Sequence, residues 1–467
     1  MNEYDQKAIK AERCKRSFYY FFREFWNVIE SETLKDNWHI EYLCNELQEI
    51  AERVFDRQPK EHDLIVNIPP GQTKSTIATV MFPAWCWTVD STIRTISSSY
   101  SYSLSIDHAT KARDIITSDK YQSYFDVRLK DDQSAKSQYK NNDGGERIAT
   151  STGGTITGKH GHFIIVDDPI NPNQAVSDVE RDKANSYIDN TLNTRKVDKK
   201  VSVTILIMQR LHEDDPTGHL LEKNDNIKHI CLPGELSKDV KPKEVREHYS
   251  DGVLDNTRLD SEALASMKTD LGSYSYSGQI MQSPSPEGGG IWQKWFIPVD
   301  DNKFDALKDK LKNYGTDWDL AYTEKQENSA SAFVSGGEYQ KDLYIDKIGY
   351  VFKEFPDLIR FMKQQAQPHY IEGKASGKSA KQTLKKERIN AIEVDVSGGD
   401  KVARARMATP AAEAGRVYVR KSELNKLYYD DKQGILKFPN NTHDDVADAL
   451  SQFIQRFNSK KKAGALF

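Results

Sequence analysis

Cysteine is scarce and scattered. Cys14, Cys44, Cys86 and Cys231 are the only four in 467 residues, and no two form a C-x-x-C pair. This excludes a disulfide framework and a cysteine-held zinc site, and points to a reducing compartment. No apolar run is long enough to span a bilayer, and the acidic start Met1-Asn-Glu-Tyr-Asp is unlike a secretory leader; no membrane association is expected. A strong charge bias is missing too: 66 basic against 70 acidic residues leave a net charge of −4. That sum neither advertises nor forbids nucleic-acid binding, which depends on local basic patches. Internal repeats and long low-complexity tracts are absent. What remains, 37% hydrophobic and 29% charged residues, describes a globular chain long enough for two or three domains.

Against that background one segment carries chemistry. In Asp63-Leu-Ile-Val-Asn-Ile-Pro-Pro-Gly-Gln-Thr-Lys-Ser-Thr76 an apolar strand runs into a small-residue turn and then a helix. Such a turn can wrap nucleotide phosphates with its backbone N–H groups at Gly71, Gln72, Thr73 and Thr76. Lys74 then reaches the β/γ oxygens and the Ser75 hydroxyl holds Mg²⁺. Against the pattern G-x-x-x-x-G-K-[ST], Ile68 and Thr73 replace both glycines, so an ordinary strand–turn–helix is the competing reading. His162-Phe-Ile-Ile-Val-Asp167-Asp168-Pro169 tips the balance. Four apolar residues followed by two carboxylates read as a strand buried on both faces, with its acids at the C-terminal edge where ligands of open α/β sheets sit. Asp167 is the expected Mg²⁺-side carboxylate, and Asp168 the group that orients or deprotonates an attacking water. Together the two segments point to an ATPase.

Residues 14–57 read as helical, and the aromatic cluster at Phe18-Tyr-Tyr-Phe-Phe is expected to be core. From 63 to 232, strand-like runs at 64–68, 94–98, 163–166 and 202–208 alternate with helical segments, the sign of a mostly parallel sheet. Residues 233–300 look turn-rich and polar, with the clearest punctuation at Pro284-Ser-Pro-Glu-Gly-Gly-Gly290. The expected division is a helical segment 1–60, an ATPase domain with linker subdomain 61–285, a linker 286–310 and a second α/β domain 311–467. In that last part strands are predicted at 313–319, 343–351, 369–372, 389–396 and 416–420, with helices at 355–367 and 402–414.

The second domain is rich in acids at strand and helix ends. Asp317 and Asp319 flank Trp318, so the two-residue period of a strand puts both on one face. Glu372 ends the run His369-Tyr-Ile-Glu372, and Asp444, Asp445 and Asp448 open the final helix at helical spacing. Carboxylates delivered from separate elements can converge on hard cations, and two such ions hold the attacking and leaving oxygens of a phosphodiester in line. An RNase-H-like nuclease needs that arrangement. Each acid also has an ordinary explanation as a helix cap, a solvated edge or an ion-pair partner. The basic run Lys374 to Lys386 would lie beside such a site along a phosphate backbone, or simply form a solvated face. Lys460 to Lys462 read as a solvated end.

The order of these segments resembles the large terminase subunit of tailed bacteriophages. The resemblance runs through Pro69-Pro-Gly-Gln-Thr-Lys-Ser75, Thr152-Gly-Gly-Thr-Ile-Thr-Gly158, Ile-Ile-Val-Asp167-Asp168-Pro169 and Met208-Gln-Arg-Leu-His-Glu-Asp-Asp215. It continues through Asp319-Leu-Ala321, Ile371-Glu-Gly-Lys-Ala-Ser-Gly377, Asp400-Lys-Val-Ala-Arg404 and His443-Asp-Asp-Val-Ala-Asp448, covering roughly residues 35–455.

That resemblance implies an additional-strand P-loop ATPase joined to an RNase-H-like nuclease. Such a protein packages viral DNA with ATP and Mg²⁺ and cuts concatemers, with Mn²⁺ also supporting cleavage. The implied partners are double-stranded DNA, a portal protein, a small terminase subunit and further copies in a ring. The implied location is the host cytoplasm. Carried over by position, Lys74 and Ser75 contact phosphate and Mg²⁺, and Asp167 and Asp168 are the paired acids, where relatives often have glutamate second. Arg210 senses the γ-phosphate, and Arg147 and Lys159 are candidates for an arginine-finger role. Asp319 best matches the first nuclease acid with Asp317 a close second; Glu372 and Asp445 complete the set, supported by Asp444 and Asp448. Asn328 stands where relatives often have an aspartate. A helicase–nuclease of DNA repair and a non-catalytic DNA clamp are the alternatives.

Overall fold

The structure, a computed structural model, describes residues 3–284, 291–320, 330–373, 381, 383–394, 400–430, 432–439 and 443–463. They form two compact units, Met1–Lys268 with Tyr274–Ser285, and Thr269–Ser273 with Pro286–Phe467.

The first unit is built on eight strands: β1 (Asp63–Asn67), β2 (Arg94–Ser99), β3 (Leu129–Ala135), β4 (Gln138–Asn141), β5 (Glu146–Ser151), β6 (Phe163–Asp167), β7 (Val203–Met208) and β8 (Ile227–Cys231). Their order across the sheet is β3-β4-β5-β2-β6-β7-β1-β8. From β5 to β8 every neighbour is parallel, while β3 and β4 close one edge antiparallel. β7 lies between β1 and β6, pairing Leu64 with Ile205 on one side and Ile164 with Thr204 on the other. This is the additional strand that separates a phosphate loop from its acidic strand. β6 and β7 are buried along their whole length, which is why they read as unbroken apolar runs rather than alternating ones.

The aromatic run is core, as its spacing implies. Ser17 caps the helix Phe18–Ile29 by accepting the Tyr20 N–H, and Phe18, Phe21, Phe22 and Phe25 are fully buried. Phe21 stacks on Phe25 with ring centroids 4.5 Å apart, and Phe18 packs on Trp85 at 5.1 Å.

The second unit has seven strands: β9 (Ile297–Val299), β10 (Lys312–Asp319), β11 (Ser331–Tyr339), β12 (Asp342–Val351), β13 (His369–Glu372), β14 (Ala391–Val394) and β15 (Val417–Arg420), in the order β14-β13-β10-β11-β12-β15-β9. β10, β11 and β12 form an antiparallel meander, and β13 joins β10 in parallel on its other side. The five strands β14-β13-β10-β11-β12 thus run 5-4-1-2-3 in chain order, the RNase-H-like arrangement. The helix Asp445–Ala463 packs on β10, β11 and β12. At Gly336 a Cβ would come 2.1 Å from the Tyr344 carbonyl oxygen and 3.0 Å from the Phe453 ring. Only glycine lets the strands and helix close there.

Several elements differ from the sequence reading. Residues 297–308, read as linker, supply β9 and the helix Asp301–Lys308 to the second unit. The stretch read as turn-rich holds two helical segments within Ser261–Gln279, separated by a kink at Gly272, where φ is +72°. β3, β4, β5, β8 and β11 were not expected; β11 (Ser-Ala-Phe-Val-Ser-Gly-Gly-Glu-Tyr) has two glycines that lower its strand signal. All four cysteines are free and buried. Among the described residues no helix is long and apolar enough to cross a membrane.

Candidate active sites

In the first unit the loop after β1 delivers Lys74 and Ser75 beside the two acids that end β6. Gly71 and Thr73 both take positive φ, +76° and +65°. Thr73 stands at the second glycine position of the phosphate-loop pattern, so the loop keeps a glycine-like conformation without the glycine. A β-branched residue held there stores local strain. The helix that follows opens with a widened π-type turn, Thr76–Met81, a feature common at functional positions.

Asp167 is fully buried at the end of β6, and its carboxylate is met from three sides. Ser75 Oγ donates to Oδ1 at 2.9 Å and Thr79 Oγ1 to Oδ2 at 2.8 Å, while His108 Nδ1 lies 3.4 Å from Oδ2. Ser75 and Thr79 are four residues apart and so share one helix face. Lys74 Nζ pairs with Asp168 Oδ2 at 3.1 Å. Asp168 takes φ +43° and accepts the Gln209 N–H at 3.4 Å. Burial pushes both carboxyls above the usual aspartate range, and the Lys74 ammonium pulls them back. Burial also holds His108 near 4, so its ring is neutral at neutral pH.

Two residues carried over from the resemblance are placed otherwise. Arg210 does not point a free guanidinium at the phosphate loop: Nε donates to both oxygens of buried Asp215 at 3.0 Å, and Nη2 to the carbonyls of His212 and Glu213. Asp215 also caps the helix Pro216–Lys223, so Arg210 pins the turn after β7. Arg147 is 1% exposed and donates to the Thr79 carbonyl at 2.8 Å, which leaves it unable to act as a finger on a neighbouring subunit. Lys159 is partly exposed and lies 3.7 Å from Glu146.

In the second unit the acids gather at one edge, but two of them divide the work differently from expectation. Asp317 and Asp319 do share a face of β10. Asp317, however, is fully buried deeper in the sheet, where Arg456 donates to it through Nε at 3.0 and 3.1 Å and through Nη2 at 2.8 Å, with Gln452 at 3.3 Å. Its charge is consumed by that pair, which removes it as a metal or catalytic candidate. Asp319, at the strand end, faces the N-terminal turn of the helix Asp445–Ala463. Burial pushes its carboxyl up, Lys401 opposes and Asp445 reinforces the shift. Lys401 Nζ lies 2.6 Å from Asp444 Oδ1, 3.5 Å from Asp319 Oδ2 and 3.6 Å from Asp445 Oδ1. Gln433 donates to Asp445 Oδ2 at 2.8 Å. One turn along from Lys401, Arg404 bridges Glu372, at 2.8 Å, and Asp448.

The donor chemistry of this edge suits Mg²⁺ or Mn²⁺: the carboxylates of Asp319, Glu372, Asp444, Asp445 and Asp448 are all hard oxygen ligands. As arranged, no group of three among the described residues is set to hold a metal ion; the Lys401 ammonium lies among Asp319, Asp444 and Asp445, and Arg404 bridges Glu372 and Asp448. Neither cation was picked out from sequence, nor were Thr79, His108 and Gln209. Helical spacing could have found two of them: Lys401 and Arg404 are three apart in Asp400-Lys-Val-Ala-Arg404, whose Asp400 caps the helix Lys401–Glu413. Of the basic run, Lys381 pairs with Glu393 at 3.1 Å. Lys374, Lys378 and Asn328 lie outside the described residues, as do the side chains of Lys460 to Lys462.

Comparison with known proteins bears on both units. Residues 354–457 match the family model of the terminase RNaseH-like domain. The large terminase of a thermophilic bacteriophage, solved in complex with ATP-gamma-S, superposes with a TM-score of 0.51 at 12% identity, covering 88% of this chain and 98% of that one. A second crystal form of the same protein gives the same values. The large terminase of bacteriophage HK97 covers 91% of this chain at 12% identity with a TM-score of 0.36, too low to add weight. No curated protein matches. Part of the second unit is thus similar to the terminase RNaseH-like domain, and the fold over most of the chain is similar to that of the thermophilic phage's large terminase. The resemblance to the large terminase subunit read from the sequence holds.

Proposed function

We propose that this protein is a DNA-packaging ATPase and endonuclease, which hydrolyses ATP to move double-stranded viral DNA into a procapsid and cuts concatemers. The observation that carries the reading is the pairing of opposite chemistries. One unit presents Lys74 and Ser75 beside two acids at a strand edge; the other presents a row of carboxylates on an RNase-H-like sheet.

In the first unit Lys74 would leave Asp168 for the β/γ-phosphates, freeing that carboxylate to orient a water. Ser75 and Asp167 already meet at 2.9 Å, the pair that would hold Mg²⁺. Gln209, whose N–H reaches Asp168, ties the turn after β7 to the same acid. In the second unit Asp319, Glu372 and Asp445, with Asp444 and Asp448, would hold divalent cations. Such ions would offset charge on the attacking and leaving oxygens of a phosphodiester. Asp445 is kept in orientation by Gln433 and Glu372 by Arg404. The partners that go with this reading are DNA, a portal, a small terminase subunit and further copies in a ring, acting in the host cytoplasm.

Plasmid cleavage with Mn²⁺ or Mg²⁺ and ATP turnover, measured on the purified chain, test it. Both activities are expected. Nucleotide binding without turnover, together with no metal-dependent cutting, would instead mark a non-catalytic clamp.

A further inference from the structure

The acid edge of the second unit already holds a cation of its own. The Lys401 ammonium sits among three carboxylates drawn from two elements: Asp319 at the end of β10, and Asp444 and Asp445 at the start of the last helix. Its backbone is fixed, because Asp400 caps the helix at that point by accepting the Ala403 N–H at 2.8 Å. Its side chain is a flexible four-carbon stem, and it is 35% exposed. Arg404 on the same helix differs in both respects. It is 4% exposed and donates to Glu372 and Asp448 at once, so it is locked in place.

We propose that Lys401 is a resident counter-ion of the carboxylate edge that a divalent cation displaces. The inference rests on the nuclease reading above. A compact ammonium with three donors satisfies three crowded acids in the absence of metal, where unpaired they would repel one another. A divalent ion at those oxygens and the ammonium cannot stay together, since both are positive and both need the same ligands. Lys401 is the partner that can leave, because it reaches in from an exposed stem, whereas Arg404 stays to orient Glu372 and Asp448. The chain thereby keeps its cutting site neutralised until metal arrives, at the cost of a weaker metal affinity. Lys401 is a positioning residue in this scheme and takes no part in bond breaking.

Two measurements on the full-length protein test the exchange. In the first, wild-type protein is treated with an amine-reactive ester with and without Mg²⁺, and modification of Lys401 is read by mass spectrometry. Displacement predicts that Mg²⁺ raises labelling of Lys401 while leaving Lys60, which pairs with Asp63 in the other unit, unchanged. In the second, Mn²⁺ binding is measured by calorimetry for wild type, Lys401→Met and Lys401→Arg, with Asp445→Asn as the blank. Lys401→Met should tighten binding about tenfold, an ordinary coupling between two sites, and Lys401→Arg should stay near wild type. Binding by wild type with no change in Lys401 labelling, and no gain in Lys401→Met, overturns the exchange while leaving the nuclease reading intact. Absence of Mn²⁺ binding in every variant, with no cutting, removes the nuclease reading and this inference with it.

Discussion

Both sites of the chain contain a lysine paired with an aspartate, yet the two pairs mean opposite things. In the first unit Lys74 meets Asp168 at 3.1 Å, next to a second carboxylate, Asp167, that is already satisfied by the Ser75 and Thr79 hydroxyls. On the proposed reading the lysine leaves for an incoming phosphate and the acid stays to orient water. In the second unit Lys401 meets Asp444 at 2.6 Å amid further carboxylates, so the surrounding is prepared for cations and the lysine is the placeholder. The same ion pair therefore cannot be assigned a role from its two members. The neighbours that remain once the pair opens decide which ligand arrives.

The largest expected effects separate the two pairs. Lys74→Ala should cost about a hundred- to a thousandfold in ATP turnover, the scale seen when a preorganised donor is removed from an active site, and should leave metal-dependent cutting unchanged in a plasmid assay. Loss of cutting in that variant would mean that the units do not work as separate sites. Next in size comes the buried pair that sequence alone confused with the site. Arg456→Ala leaves Asp317 buried without its partner and should destabilise the second unit by about 3–5 kcal/mol, read by denaturant unfolding, while protection from hydrogen exchange in the first unit stays as in wild type.

Mild acid should weigh more heavily on the first unit, where burial lowers four histidines against one in the second, although the raised carboxyls of Asp167 and Asp168 work against them. Burial lowers His39, His108 and His162 to about 4 and His229 to about 3, all in the first unit. Each binds a proton more readily unfolded than folded, so their contribution is present above the ordinary histidine range and is lost as pH falls from about 6.5 toward 4. In the second unit His369, also near 4, behaves in the same way. It is opposed by Asp448, which burial and then the Asp319 carboxylate push up to about 7. A raised acid binds its proton more readily folded, so that contribution grows as pH falls from 7 toward 4. Hydrogen exchange resolved by peptide at pH 7 and pH 5, corrected for intrinsic rates, should show the first unit losing more protection than the second. Equal losses would break the contrast. The smallest effect is expected at the phosphate loop: Thr73→Gly should relieve about 1 kcal/mol of backbone strain, seen as a modest rise in the melting temperature of the first unit.

Much of this was legible in the residues, and for a physical reason. Strands buried on both faces need unbroken apolar runs, so β1, β6 and β7 stood out, and with them the acids at their ends. The terminal helix and the short strand β13 announced Asp445 and Glu372 through the same edge logic. What was hidden depended on depth. The period of two placed Asp317 and Asp319 on one face, but nothing local says that Arg456, far along the chain, reaches the inner one. Arg210 and Arg147 were obscured in the same way, since a guanidinium free to bind a ligand looks the same in sequence as one consumed by the buried Asp215 carboxylate or by the Thr79 carbonyl. β11 was missed because its glycines serve close packing, Gly336 against Tyr344 and Phe453 and Gly337 against Lys312, rather than strand propensity.

The most direct test of two independent sites is a paired assay on the intact chain. ATP hydrolysis and Mn²⁺-dependent plasmid cleavage would be measured side by side for wild type, Lys74→Ala and Asp445→Ala. The account predicts both activities in wild type, loss of hydrolysis alone in Lys74→Ala and loss of cutting alone in Asp445→Ala. Wild-type hydrolysis in Lys74→Ala, or wild-type cutting in Asp445→Ala, would contradict it.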